Sequence, residues 1–221
     1  MNAAASFRPW LNRTRRQLWR ALFGRMLFGE RSLGVLRPAT RLSPTVLIEH
    51  EDRLQLADDV FVGHFVFIEA SAGVRVDTGV QITNFVSIVS HATARSVRVA
   101  KALSGVPLQA AAPAVGLAGD TRAPIAIGAH SFIGPHSTLE AGAQLGRCSL
   151  VASHSRVRGV QPDFAILAGS PAQVVGDVRQ GDSAWLARLA AEHGLDEAAL
   201  AEAYTRWLRA VSAQKGSNAL Q

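Results

Sequence analysis

Aliphatic residues return at every sixth position through the second half of the chain. This register is filled by Ile127, Ile133, Leu139, Leu145, Val151 and Val157. Four positions after each of the first five stands a small residue: Ser131, Ser137, Ala143, Ser149 or Ser155. A period of six fits neither the 3.6-residue repeat of an α-helix nor the two-residue repeat of one long strand. It predicts short strands separated by corners, with three strands to each turn of a triangular solenoid.

The same register is present earlier in the chain, with one interruption. It runs through Leu56, Val62 and Ile68, slips by two residues, and resumes at Val76, Ile82 and Ile88. It then stops at His91 and restarts at Ile125. Residues 92–124, rich in Ala, Gly and Pro, therefore form a long loop after His91, and loops of this length are usually functional.

Both ends of the chain show helical rather than six-residue spacing. Residues 1–42 carry apolar residues near helical intervals, and residues 179–221 do the same, with Gly194 ending one helix and Asp196 starting the next. We therefore divide the chain into a basic amphipathic arm (1–45), a β-helix (46–178) and C-terminal helices (179–221).

Positive charge is concentrated in the arm. Residues 1–41 contain nine arginines and one acid, Glu30, whereas the whole chain carries a net charge of +6, so the remaining residues sum to −2. Because the basic residues do not spread over a folded face, the sequence argues against nucleic-acid binding.

Residues 7–28 of the arm combine aromatic rings with arginines and contain no acid. Three interpretations stay open: the segment packs on the first coil as a cap, it lies peripherally on a membrane, or it is a cleaved targeting segment. The single cysteine, Cys148, and the lack of a long apolar stretch or secretion signal favour a cytoplasmic protein, or one at the inner face of the membrane.

Four segments carry a resemblance to a known family. They are the five hexapeptides of residues 127–156, Val86-Ser-Ile-Val-Ser-His91, Ala123-Pro-Ile-Ala-Ile-Gly128, and Ile166-Leu-Ala-Gly-Ser-Pro-Ala-Gln-Val-Val175. Over residues 46–178 the chain resembles the hexapeptide-repeat acyltransferases, in particular the galactoside, maltose and surface-polysaccharide O-acetyltransferases. The resemblance implies a left-handed parallel β-helix, acetyl-CoA as acyl donor, and a homotrimer with active sites between subunits.

Transfer of an acyl group to an alcohol requires a base, and histidine suits that role near neutral pH. His91 stands where the family carries its catalytic histidine. On the acceptor side the candidates are His64, Glu69 and Asn84. Gly63 occupies the position of an acceptor-binding Asn in the galactoside enzymes, and Glu69 does not coincide with their acidic residues, so the acceptor and the partner of His91 stay open.

The resemblance also implies a CoA slot along the later coils. Pro135 and Ser153 would line the pantetheine arm, Phe132 would supply an apolar wall, and Arg158 and Gly159 would approach the nucleotide. Gln173 replaces a basic residue of the family, so a phosphate contact is expected instead from Arg156, Arg158 or Arg179.

The remaining histidines have simpler interpretations. His136 and His154 are 18 residues apart and should stack on one corner of adjacent coils, whereas His130 should point elsewhere. A zinc site of the β-helical carbonic anhydrase kind requires three converging histidines, which this spacing does not match, so no metal is expected.

The sequence therefore favours an acetyl-CoA-dependent O-acetyltransferase that acts on a sugar hydroxyl of a surface glycan or its precursor. The alternatives are N-acetylation of an amino-sugar nucleotide and, from another class, a non-catalytic or metal-dependent β-helix protein.

Overall fold

The computed structural model describes residues 3–95, 97–98 and 120–213. These contain the α-helices α1 (Ala3–Phe23), α2 (Val178–His193) and α3 (Glu197–Ala213) and a 3-10 turn at Glu51–Arg53. The strands in chain order are β1 (Leu27–Ser32), β2 (Val35–Leu42), β3 (Leu47–Glu49), β4 (Leu54–Leu56), β5 (Phe61–Val62), β6 (Phe67–Glu69), β7 (Val74–Val76), β8 (Gln81–Ile82), β9 (Ser87–Val89), β10 (His91–Ala92), β11 (Thr121–Arg122), β12 (Ile125–Ile127), β13 (Phe132–Ile133), β14 (Thr138–Leu139), β15 (Gln144–Leu145), β16 (Leu150–Val151), β17 (Arg156–Val157), β18 (Ala165–Gly169) and β19 (Ala172–Asp177).

Most strands stack in parallel into three flat faces that enclose a triangular core. Face A contains β2, β5, β8, β13, β16 and β18, extended by antiparallel β1 and β19; face B contains β3, β6, β9, β14 and β17; face C contains β4, β7, β12 and β15. The chain visits A, B and C in turn through about five coils, which confirms the predicted left-handed parallel β-helix. We name the corners A–B, B–C and C–A after the faces they join.

The predicted six-residue register supplies the core. Every aliphatic member of that register from Leu56 onward is at most 4% exposed: Leu56, Val62, Ile68, Val76, Ile82, Ile88, Ile127, Ile133, Leu139, Leu145, Val151 and Val157. Ile82, for example, stacks in register between Val62 and Ile133. Burial of these side chains is the main favourable contribution to the stability of the solenoid.

The small residue of each repeat has a separate role. The buried Ser137 hydroxyl donates to the carbonyl oxygen of Ala152 at 3.0 Å and accepts the backbone N–H of Ser155 at 3.3 Å. Ser131 makes the same two bonds to the carbonyl of Gly146 and the N–H of Ser149. A serine at this position therefore closes the corner and links one coil to the next without an unpaired buried polar group.

Coil length differs along the solenoid because of the B–C corner. Successive strands of face A are twenty residues apart at Phe61 and Gln81 and eighteen apart at Phe132 and Leu150. The two extra residues of the early coils lie at the B–C corner, the site of the slip between Ile68 and Val76. In the next coil the same corner opens into the loop predicted over residues 92–124. Residues 96 and 99–119 of that loop lie outside the described part of the chain.

The N-terminal arm is only partly helical, so the helical expectation for residues 1–42 is wrong beyond Phe23. Strands β1 and β2 form an antiparallel hairpin whose turn residues Leu33 and Gly34 both have positive φ, as a tight hairpin turn requires. The buried Ser32 hydroxyl donates to the carbonyl of Leu54 at 3.0 Å and accepts the N–H of Leu56 at 2.8 Å. The hairpin therefore covers the first coil, and β2 already pairs in parallel with β5.

Helix α1 does not share this capping role. Every residue from Arg8 to Arg25 is exposed. Within the described residues, none of the helices is long and apolar enough to cross a membrane.

The two C-terminal helices are separated at the predicted break. Gly194 ends α2 with a φ of 64°, and the Asp196 carboxylate accepts the N–H groups of Ala198 and Ala199 at the start of α3. Helix α3 then packs Val211 against Cys148 and Phe164 at the C–A corner. Residues 214–221 lie outside the described part of the chain.

Substitutions at Ile82 and Gln81, which are neighbours on β8, test whether the aliphatic register forms the core. Ile82→Ala should lower the free energy of unfolding by about 2–5 kcal/mol, because it removes a fully buried side chain from a close-packed stack. Gln81→Ala, on the solvent side of the same strand, should change it by less than about 0.5 kcal/mol. Urea denaturation followed by circular dichroism measures both, and equal losses would contradict the inward register.

Candidate active site

His91 lies at the point where the chain leaves the solenoid. It follows β9 and Ser90, and on β10 it pairs antiparallel with Arg122, while Ala92 pairs with Thr121. The carbonyl of Ser90 accepts the N–H of Ala123 at 3.1 Å. The loop therefore departs and returns at adjacent positions of the B–C corner, and His91 stands at its base with 29% of its side chain exposed.

Glu69 lies beside His91 on the preceding coil. It ends β6, in register with Val89, and its Oε2 is 3.5 Å from Nδ1 of His91. The sequence analysis placed Glu69 on the acceptor side and left the partner of His91 open. The structure brings the two side chains together, which makes Glu69 the candidate partner of His91.

Hydrogen bonds hold the Glu69 carboxylate in place. Its Oε1 accepts the N–H of Ser71 at 2.8 Å, and its Oε2 accepts the hydroxyl of Ser90 at 2.9 Å. Burial of the carboxyl, which is 5% exposed, acts to raise the pKa of Glu69. The hydrogen bonds from Ser71 and Ser90 and the nearby charge of His91 outweigh burial and lower that pKa to about 2. Glu69 is therefore ionised throughout the physiological range.

This arrangement suits His91 to act as a base. A carboxylate facing Nδ1 favours the tautomer with hydrogen on Nδ1, which leaves the lone pair of Nε2 available. The Nδ1–Oε2 separation of 3.5 Å is longer than a hydrogen bond, so in this state the attraction is electrostatic. Catalytic hydrogen bonds are often long without substrate and tighten when it binds.

Sequence reasoning missed Ser90. Its side chain is fully buried, and its hydroxyl donates to Glu69 and accepts the N–H of Ala72 at 2.9 Å. It holds the Glu69 carboxylate and the corner together directly beside His91. Ser90 directly precedes His91 in the Val86–His91 segment, and this adjacency was the sign in the sequence that Ser90 belongs to the site.

The other two acceptor-side candidates lie at a different corner. His64 and Asn84 occupy the A–B corner, where the Asn84 Oδ1 accepts the N–H of His64 at 2.8 Å and Ser43 Oγ lies 2.6 Å from His64 Nδ1. A side chain at Gly63 would meet Asn84, since its Cβ would lie 2.5 Å from that Oδ1. Face B separates this group from His91 within one chain.

The candidate CoA residues are also divided between regions. Phe132 points outward from face A, Pro135 and Ser153 lie at the A–B corner, and Gln173 is exposed on β19. Arg158 and Gly159 are exposed at the B–C corner, the corner of His91. A single chain therefore does not bring the predicted CoA residues together.

Two of the three arginines suggested for a phosphate contact already have carboxylate partners. Arg156 pairs with Glu140 at 2.9 Å, and Arg179 pairs with Asp177. The third is Arg158, whose guanidinium forms no ion pair with any Asp or Glu in the described part of the chain.

A column of rings runs along the A–B corner. The ring centroids are 5.2 Å apart for Phe65 and Phe85, 4.8 Å for Phe85 and His136, and 4.9 Å for His136 and His154. The predicted stacking of the two histidines is therefore confirmed. His130 instead contacts Trp207 of α3 at the C–A corner, at 5.2 Å between centroids. The described residues include no group of three or more His, Cys, Asp or Glu side chains that could hold a metal ion.

Comparisons with known proteins give one short sequence match. No protein-family model matches the sequence. A probable acetyltransferase of Mycobacterium tuberculosis is 39% identical over 57 residues, which are 26% of this chain and 19% of that protein. The chain thus matches less than a fifth of the length of this relative.

Solved structures give a longer, fold-level likeness. A hexapeptide-repeat-containing acetyltransferase of Vibrio cholerae O1 biovar eltor, determined with acetyl-coenzyme A, is 17% identical, with a TM-score of 0.50 over 75% of this chain and 77% of that chain. An N-acyltransferase of Bacillus cereus, determined with dTDP and coenzyme A, is 13% identical, with a TM-score of 0.48 over 67% and 88%. The chain has the left-handed parallel β-helix fold of the Vibrio cholerae acetyltransferase.

Proposed function

We propose that this protein is an acyltransferase that moves an acetyl group from acetyl-CoA to a sugar hydroxyl of a surface glycan or its precursor. The observation that carries the proposal is the His91–Glu69 pair, which stands at the base of the loop that interrupts the third coil. The acetyltransferase identities of the Vibrio cholerae and Mycobacterium tuberculosis proteins support it.

In the proposed reaction His91 acts first as a base and then as an acid. Its Nε2 takes the proton of the acceptor hydroxyl while the oxygen attacks the thioester carbonyl carbon. A hydrogen-bond donor stabilises the oxyanion of the tetrahedral intermediate. The intermediate collapses with cleavage of the C–S bond, and the proton on Nε2 passes to the departing CoA thiolate. The products are the acetyl ester and free CoA.

Glu69 would assist as a positioning residue. Because its carboxylate is held by Ser71 and Ser90 and is ionised, it keeps the Nδ1 side of His91 turned inward and Nε2 turned toward the acceptor. Its negative charge also stabilises the imidazolium that forms when His91 takes the proton.

A trimer would complete the site. The candidate residues for the pantetheine arm lie on face A and the A–B corner, whereas His91, Arg158 and Gly159 lie at the B–C corner. In a cyclic trimer each interface joins two different surface regions of neighbouring chains. Placing the A–B corner of one chain against the B–C corner of the next would bring both CoA regions, and His64 and Asn84, to one His91.

His91→Ala should reduce the rate of CoA release from acetyl-CoA by a factor of about 10²–10⁴ while the fold is kept, because a positioned acid–base group is lost. Thiol release measured against a panel of sugars, amino sugars and amino-sugar nucleotides tests this prediction. The panel also distinguishes O- from N-acetylation.

His193→Ala is the matched control for that assay, since His193 is exposed at the end of α2. It should retain the wild-type rate. Undiminished turnover by His91→Ala, with an acceptor that the wild-type protein uses well, would refute the role of His91.

Glu69→Gln should lower kcat by roughly ten-fold or more at neutral pH, because the neutral amide no longer stabilises the imidazolium. It should also destabilise the protein in a pH-dependent way. The Glu69 pKa falls from 4.5 to about 2 on folding, so its contribution to stability is present above pH 4.5 and is lost as the pH falls toward 2. The stability difference between wild type and Glu69→Gln should therefore shrink between pH 4.5 and 3 in urea denaturation.

Glu49→Gln provides the control, since Glu49 is the exposed register partner of Glu69 one coil earlier. It should leave kcat and stability unchanged. A Glu69→Gln deficit that is the same at every pH would argue against the ionised, hydrogen-bonded carboxylate.

The protein should be a homotrimer in solution, because the proposed CoA site needs residues from two chains. Light scattering at micromolar concentration should give the mass of three 23.5 kDa chains, about 70 kDa. A monomeric mass combined with full activity would rule out the shared site.

A further inference from the structure

Helix α1 has an apolar sector that contains no arginine. At 100° per residue, Trp10, Leu11, Leu18 and Leu22 fall within a sector of about 120°. The remainder of the circumference carries Trp19, Phe23 and the arginines of the helix: Arg8, Arg13, Arg15, Arg16 and Arg20. The helix is therefore amphipathic along its described length.

The apolar side of α1 is exposed to solvent. The exposed fraction is 60% for Trp10, 59% for Leu18 and 61% for Leu22. Large apolar side chains in one exposed row are unusual on a folded surface and mark an interaction site. The β1–β2 hairpin already covers the first coil, so capping of the solenoid does not account for this helix.

Charge identifies the kind of surface that fits α1. Residues 1–29 contain six arginines and neither Asp nor Glu. Packing α1 against the same helix of a second copy would bring these arginines together without counter-charges. An anionic surface would instead attract them, and a lipid bilayer also accepts the apolar row.

Exposed apolar side chains are also present directly after the helix. Leu27 is 55% exposed and Phe28 is 72% exposed in β1, and Leu36 in β2 is 54% exposed. Aromatic and aliphatic side chains of this kind enter the headgroup layer, where arginines can meet lipid phosphates.

We propose that α1 is a membrane-surface anchor, which lies in the interface of an anionic bilayer with Trp10, Leu11, Leu18 and Leu22 inserted and its arginines on the headgroups. This anchoring is independent of the reaction proposed for the β-helix. It would hold the solenoid beside a bilayer.

Vesicle sedimentation of the full chain tests the proposal. Wild-type protein should pellet with vesicles of phosphatidylcholine and phosphatidylglycerol at low salt and stay in the supernatant with phosphatidylcholine alone. Leu18→Gln/Leu22→Gln, which keeps the charge and uses a good helix former, should weaken binding at least ten-fold. Arg13→Gln/Arg16→Gln/Arg20→Gln should do the same.

The matched control is Arg188→Gln/Arg206→Gln/Arg209→Gln, which removes the same charge from exposed positions of α2 and α3. It should bind like wild type. The proposal is overturned if wild-type protein stays in the supernatant with anionic vesicles. It is also overturned if both arginine variants lose binding equally, or if Leu18→Gln/Leu22→Gln lowers the oligomeric mass in light scattering, which would assign α1 to contact between copies.

Discussion

The strands of each coil make their backbone hydrogen bonds with the coils before and after it. Gly134, for instance, donates its N–H to Val151 one coil later, and Thr83 donates to Ile133. This pairing fixes which residues stand above one another, so the inward aliphatic side chains form continuous stacks. Any insertion must therefore leave from a corner and return to the same place.

The B–C corner is where such insertions occur, and it is also where the proposed catalytic residue His91 lies. Two extra residues in the second coil provide Ser71, which binds the Glu69 carboxylate. In the third coil the long loop leaves at the same corner, yet β12 resumes pairing with β7 at Ile125 and Val74. His91 and Glu69 are thus held by regular coils, while the loop can differ without disturbing them.

The solenoid could be predicted from the sequence because aliphatic residues at a six-residue spacing specify it. The buried register, the stacked His136 and His154, and the break at Gly194 all follow local rules that operate within a few residues or one coil. The hairpin at β1–β2 was missed because the helical spacing of the first residues was extended past Phe23. Gly34, a residue suited to a tight turn, was the signal against that extension.

The pairing of Glu69 with His91 was missed for a different reason. An eighteen-residue coil would not place these two residues together, whereas the twenty-residue coil puts Val89 above Glu69 and His91 just beyond it. The proposed CoA residues would need a neighbouring chain to complete the site, and no local sequence pattern specifies how two chains pack together.

In the proposed reaction, His91 takes part in acyl transfer from CoA at an interface between chains. A crystal structure with CoA bound tests this role. We expect the CoA sulfur near Nε2 of His91, at about 3 Å or across one water, with the pantetheine arm contacting two chains. CoA bound at another corner, with its sulfur remote from His91, would rule out this role of His91.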